Sequence, residues 1–135
     1  MMRARRGSML LEVMVAIALL AVTVSLCIKT LTAMGRQQMA LGQRAYAAEL
    51  ANNLLERLRG HDWPAITPAL AAEVKLPADA QQRLPAPQLD IQVAERKSPE
   101  AKQMTVIIRW QEGGGRQARP VRLTTWVYRK GGPRP

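Results

Sequence analysis

Few residues in this chain could do chemistry, and most lack the neighbours that chemistry needs. Glu12 is the only charge between Met9 and Ile28. A carboxylate in an apolar run costs about 2.5–3.5 kcal/mol at the centre of a membrane helix and less toward an end, so Glu12 is a functional candidate that an amine partner could hold ionised; a glutamate snorkelling at the helix end without a partner is the plainer alternative. His61, beside Asp62 and Trp63, is the only histidine, and the only cysteine is the distant Cys27. Neither can complete a metal site, so His61 reads as a connector residue and no metal is expected. Cys27 reads as a small core residue in a helix bundle, and a single cysteine excludes an intrachain disulfide. The serines are Ser8, Ser25 and Ser98, none with a plausible base, and no glycine loop that could cradle phosphate precedes a helix. Asp79, Asp90, Glu95 and Glu100 form no calcium-loop pattern. These absences argue against an enzyme and against a cofactor.

One more group could act by charge. Arg116, Arg119, Arg122, Arg129 and Lys130 concentrate near the end of a chain of net charge +10. They could meet nucleic-acid phosphates through salt-dependent contacts, with Trp126 and Tyr128 stacking on bases. A solvated hairpin face, or a docking surface for acidic protein partners, explains the same residues and is the preferred reading.

The elements that must carry these residues follow from composition. All nine prolines lie at or after Pro64, so a helical first half gives way to a turn-rich second half. Residues 9–28 are close to the ~20 apolar residues that span a bilayer. Ala18, Ala21 and Ser25 would allow close helix approach. A cleaved secretory signal fits poorly, because Leu26 occupies a position that wants a small residue; a simple signal anchor is the plainer alternative. Helical spacing continues through Leu50, Leu54 and Leu58, an amphipathic stripe suited to packing on a sheet. Gly35 and Gly42 are the expected bend points, and Gly60 with Arg57 and Arg59 marks the stop. Such a helix, from Met9 to Arg59, would be about 77 Å long, more than a globule of this size needs and suited to a filament.

Residues 61–88 read as a connector, with Trp63-Pro64 and Thr67-Pro68 as turn formers, one short helical turn over Ala69–Lys75, and the rest held extended by Pro77, Pro85 and Pro87. Period-two alternation then predicts three strands, over Leu89–Ala94, Met104–Trp110 and Val121–Tyr128. The loops Arg96–Lys102 and Gln111–Pro120 suit an antiparallel meander, with Gly113-Gly114-Gly115 as a turn. The tail 131–135 is expected to lack structure. The fold class is α+β: a long N-terminal helix on a small antiparallel sheet of three or four strands.

Arg5-Arg6-Gly7-Ser8-Met9-Leu10-Leu11-Glu12-Val13 resembles the processing signal of type IV prepilins and of the pseudopilins of type II secretion. In that family a prepilin peptidase cuts after the glycine and methylates the new N-terminal amine, and a glutamate stands fifth in the mature chain. The resemblance implies that Gly7 is the cleavage glycine, Ser8 the methylated N-terminus, and Glu12 the residue that pairs with the amine of a neighbouring subunit to set register. Arg3, Arg5 and Arg6 would be the basic residues of a leader at 1–7. Residues 8–28 would be the membrane and assembly helix, 29–60 its amphipathic continuation, and 89–130 the sheet. Ser8 departs from the pattern, where phenylalanine or methionine is commoner. Leu10-Leu11-Glu12-Val13, Val15-Ala16, Leu54-Leu55-Glu56-Arg57-Leu58-Arg59 and Trp110 look most like the I-type minor pseudopilins, and V-type minor pilins are similar. The implied function is a minor pseudopilin at or near a pseudopilus tip, supporting protein export. Its partners would be prepilin peptidase, the other minor pseudopilins and the major pseudopilin. Its place would be the bacterial inner membrane, single-pass, with the N-terminus cytoplasmic and the C-terminal domain periplasmic. The alternative is a minor pilin of a pilus or DNA-uptake machine, with the basic hairpin on DNA.

Overall fold

The computed structural model describes residues 3–97 and 100–130, with side chains from Gly7 onward. One unbroken α-helix, α1 (Arg3–Arg59), opens the chain. It begins inside the expected leader, since Arg and Ala are good helix formers and nothing before Gly7 stops them. It also runs through Gly35 and Gly42, the two expected bend points, as regular helix. A glycine in a helix costs about 1 kcal/mol, too little to interrupt so long a run. The chain forms two units, Met1–Met39 and Ala40–Pro135.

In the first unit every side chain from Gly7 to Met39 is exposed. The large apolar ones range from 50% exposure at Val24 to 70% at Met9. The hydroxyls of Thr23, Ser25, Thr30 and Thr32 are satisfied within the helix. Thr23 Oγ1 donates to Leu19 O at 2.8 Å, Ser25 Oγ to Ala21 O at 2.8 Å, and Thr30 Oγ1 to Leu26 O at 2.9 Å. This back-bonding spares these donors the need for water.

The second unit has its own core. The last turns of α1 bury Ala47, Leu50, Ala51, Leu54, Leu55 and Leu58, alternating steps of three and one that define one helical stripe. Gly60 ends the helix, its N–H donating to Glu56 O at 3.0 Å. A 3-10 turn follows at Trp63–Ala65. Helix α2 (Pro68–Glu73) starts on Thr67, whose hydroxyl accepts from Leu70 N, with Pro68 in the first turn. Helix α3 (Ala78–Arg83) corrects the expectation of an extended segment after Pro77. Proline at the cap position fixes φ without costing a helical hydrogen bond, and Ala78–Arg83 holds no further proline to break the turns.

The sheet is an antiparallel meander of β1 (Gln88–Lys97), β2 (Glu100–Arg109) and β3 (Val121–Tyr128), in the order β1-β2-β3. Strands β1 and β2 extend into the expected loop Arg96–Lys102, pairing through Lys97↔Glu100. Met104, Val106 and Ile108 of β2 are fully buried against the Leu50, Leu54 and Leu58 stripe, in one cluster with Ile66, Ala80, Leu84, Trp110 and Val121. Gly114 and Gly115 turn the β2–β3 connection with φ of +91° and +78°, a backbone that side chains rarely adopt. The tail 131–135 lies outside the described residues.

Candidate assembly and interaction surfaces

Gly7 and Ser8 are adjacent on α1 and Glu12 lies one turn further on, all exposed. Ser8 and Glu12 are four residues apart and share one helix face. A Cβ built on Gly7 would meet nothing within 4 Å, so no contact within the described chain requires glycine there. Arg3, Arg5 and Arg6 belong to α1 by backbone, and their side chains lie outside what is described. Cys27, expected inside a bundle with the helices of other subunits, is exposed in the single chain like its neighbours on the apolar helix.

The five cations of the expected basic cluster do not form one patch. Arg122 stands near the start of β3, beside Ile107 in register, with Arg116 and Arg119 in the loop before it. Arg129 and Lys130 follow the other end of that strand, about 24 Å away at ~3.4 Å per residue. Arg122 and Arg129, seven residues apart, also fall on opposite faces, because side chains alternate along a strand. Arg129 is engaged locally: it pairs with Glu100 at 2.9 Å and lies over the Trp63 ring, 5.5 Å from its centroid.

Two constellations escaped the sequence reading. Lys102 is buried, and its ammonium donates to Trp63 O at 2.8 Å and Ile66 O at 2.7 Å while lying 4.2 Å from the centre of the Trp63 ring. The alternation Met104, Val106, Ile108, extended one step back into the expected loop Arg96–Lys102, places Lys102 on the inner face. Tyr46 is the second. Its hydroxyl donates to Asp79 Oδ2 at 3.0 Å, and the Arg83 guanidinium covers its ring at 4.8 Å. Burial and the Asp79 carboxylate raise the Tyr46 phenol above its ordinary value. These contacts tie α3 to the helix that precedes the connector.

His61 is exposed, with Nδ1 2.9 Å from Arg57 O, which requires a proton on that nitrogen. Among the described residues no group of three His, Cys, Asp or Glu side chains comes together. Comparison of the chain with protein-family models, with curated proteins and with solved structures finds no match.

Proposed function

We propose that this chain is a pilin-like subunit anchored in the bacterial inner membrane, a minor pseudopilin of type II secretion that joins a pseudopilus at or near its tip. The observation that carries the reading is the exposure of α1 from Met9 to Met39. Its apolar side chains are exposed throughout, over a length and composition sufficient to cross a membrane. Water is a poor solvent for such a helix, whereas lipid, and then the helices of neighbouring subunits, would cover it.

Processing gives the helix its chemistry. Cleavage after Gly7 by a prepilin peptidase would create an amine at Ser8, one turn from Glu12. Gly7 weakens the helix locally by about 1 kcal/mol, which eases the opening a peptidase needs. In lipid the Glu12 carboxylate would stay ionised by pairing with such an amine, most usefully that of an adjacent subunit, and this would fix how far one subunit rises against the next. The globular unit, tied by Lys102 and Tyr46, would sit on the periplasmic side with the major pseudopilin and other minor pseudopilins as partners. The DNA-uptake alternative leans on the basic hairpin, whose cations are divided between two ends of β3.

Intact mass of the protein from membranes, with and without active prepilin peptidase, tests the proposal. A chain that begins at methylated Ser8 only when the peptidase is present is the expected result. A chain beginning at Met1 or Met2 in both samples leaves a simple signal anchor and removes the filament role.

A further inference from the structure

Strand β3 is an edge of the sheet, and the direction of its free hydrogen-bonding groups can be read from one bond. Arg129 N donates to Glu100 O at 3.3 Å, continuing the register that pairs Tyr128 with Ala101 and Val121 with Ile108. Antiparallel strands alternate, residue by residue, between bonding to the neighbour and pointing away from it. Val127, Thr125, Leu123 and Val121 therefore bond to β2. The N–H and C=O groups of Tyr128, Trp126, Thr124 and Arg122 point outward from the sheet. The other edge strand, β1, has α2 packed against it, whereas β2 is the only element packed extensively along β3 among the described residues. Neither proline nor a bulge interrupts β3, so it lacks two of the usual devices that keep an edge from pairing.

The charge around this edge selects its occupant. Residues 116–130 hold five cations and no acidic residue. Arg129 is paired with Glu100, and no ion pair engages Arg116, Arg119, Arg122 or Lys130 among the described residues. A second copy of the chain pairing antiparallel along β3 would bring Arg119 and Arg122 of one copy toward Arg129 and Lys130 of the other. Like charges placed opposite each other destabilise a strand pair. An acidic strand would meet cations at both ends. We infer that the outer edge of β3, at Arg122, Thr124, Trp126 and Tyr128, is a docking site for an acidic extended segment of a partner protein, which adds to the sheet as a fourth strand. Main-chain bonds would supply the affinity, and the flanking cations the choice of partner. The inference concerns the globular unit and does not depend on the membrane reading.

The test uses the full chain in detergent micelles, isotope-labelled, with a peptide of alternating threonine and glutamate matched to the eight residues of β3. Millimolar peptide should slow amide exchange at Arg122, Thr124, Trp126 and Tyr128 by about tenfold or more. Added salt should weaken the effect, and a peptide with lysine in place of glutamate should not produce it. Thr124→Pro removes an outward N–H and leaves the bonds to β2 in place, so it should abolish the protection while the sheet stays folded. Thr124→Val keeps the N–H and should preserve it. Equal protection by the lysine peptide, or none by the acidic one, overturns the inference. So does protection that rises with protein concentration alone, which means a second copy is the occupant. Binding of a single-stranded oligonucleotide without protection of these amides, where the acidic peptide also gives none, reassigns the face to nucleic acid.

Discussion

The ammonium of Lys102 lies 2.7 Å from the carbonyl oxygen of Ile66, within the buried part of the globular unit. A second carbonyl, that of Trp63, accepts from it at 2.8 Å. A buried cation is costly unless its protons are used, and here two backbone acceptors and an aromatic face use them. The bond joins the central strand to the connector, so one side chain holds the 3-10 turn and the approach to α2 against the sheet.

Lys102→Met keeps most of the apolar stem and removes the charge. Two hydrogen bonds to a charged group, at about 1.5–3 kcal/mol each, make a loss of about 3 kcal/mol the expected outcome, partly offset by the desolvation the lysine no longer suffers. Urea unfolding followed by tryptophan fluorescence would measure it. Amide exchange should rise in Asp62–Leu70 before it rises in β2, because the connector loses its tie while the ladder of the central strand is untouched. Uniform loosening would show that Lys102 supports the core and does not hold the connector.

What the sequence made legible was whatever repeats. The period of α1 and the alternation of β3 are sustained over many residues, and their burial follows the apolar pattern at Leu50, Leu54, Leu58, Val121 and Leu123. In the connector the turn at Trp63-Pro64 and the short helix near Ala69–Lys75 were legible, but its packing was not, because that comes from distant partners: Lys102 for Trp63 and Ile66, Tyr46 for Asp79. No local pattern in residues 61–88 announces a bond to a strand lysine more than thirty positions away. The basic residues misled for a related reason. Proximity in sequence suggested a cluster, but an extended strand separates its two ends by its full length.

Tyr46→Phe should cost about 1 kcal/mol, the usual net value of one hydrogen bond, and free α3, which holds Asp79, from its tie to α1. The phenol also has a pH signature. Its folded pKa lies above the ordinary value of 10.0, chiefly through burial and then through Asp79. The stability it contributes is therefore complete below that ordinary value and is lost as pH rises through the folded one. Stability measured from neutral pH to about pH 11 should fall more steeply in the parent than in Tyr46→Phe, once the unfolded-state titration of the remaining tyrosine is common to both. Parallel curves would mean that the phenol ionises alike in both states.

On the proposed pilin-like reading, Glu12→Gln and Glu12→Ala separate insertion from assembly. Removing a carboxylate from the exposed apolar helix eases insertion by up to about 2.5–3.5 kcal/mol, so both variants should reach the membrane at least as well as the parent. Both should join filaments poorly, because neither offers a negative charge to a terminal amine. Co-purification with partner pseudopilins after chemical cross-linking reports the second step, and carbonate extraction the first. Normal filament entry by Glu12→Ala would remove the pairing role.

The globular unit should fold without the first. Its core begins at Ala47 and draws no buried side chain from residues 7–39, all of which are exposed. A chain starting at Ala40 keeps the whole Leu50, Leu54 and Leu58 stripe, the Tyr46–Asp79 bond and the Lys102 tie. It loses apolar surface that was never buried within the chain, so its unfolding free energy should match that of the full protein to within about 1 kcal/mol. It should also be soluble without detergent. Thermal unfolding by circular dichroism checks the first expectation and sedimentation velocity the second. Within this truncated chain, Leu58→Ala should cost about 2–5 kcal/mol, the range for emptying a fully buried leucine site, and Leu31→Ala in the full protein should cost nothing measurable in the unfolding of the globular unit. A truncated chain that fails to fold would show that the exposed helix contributes to the stability of the domain it precedes, and the division of labour between anchor and sheet would have to be redrawn.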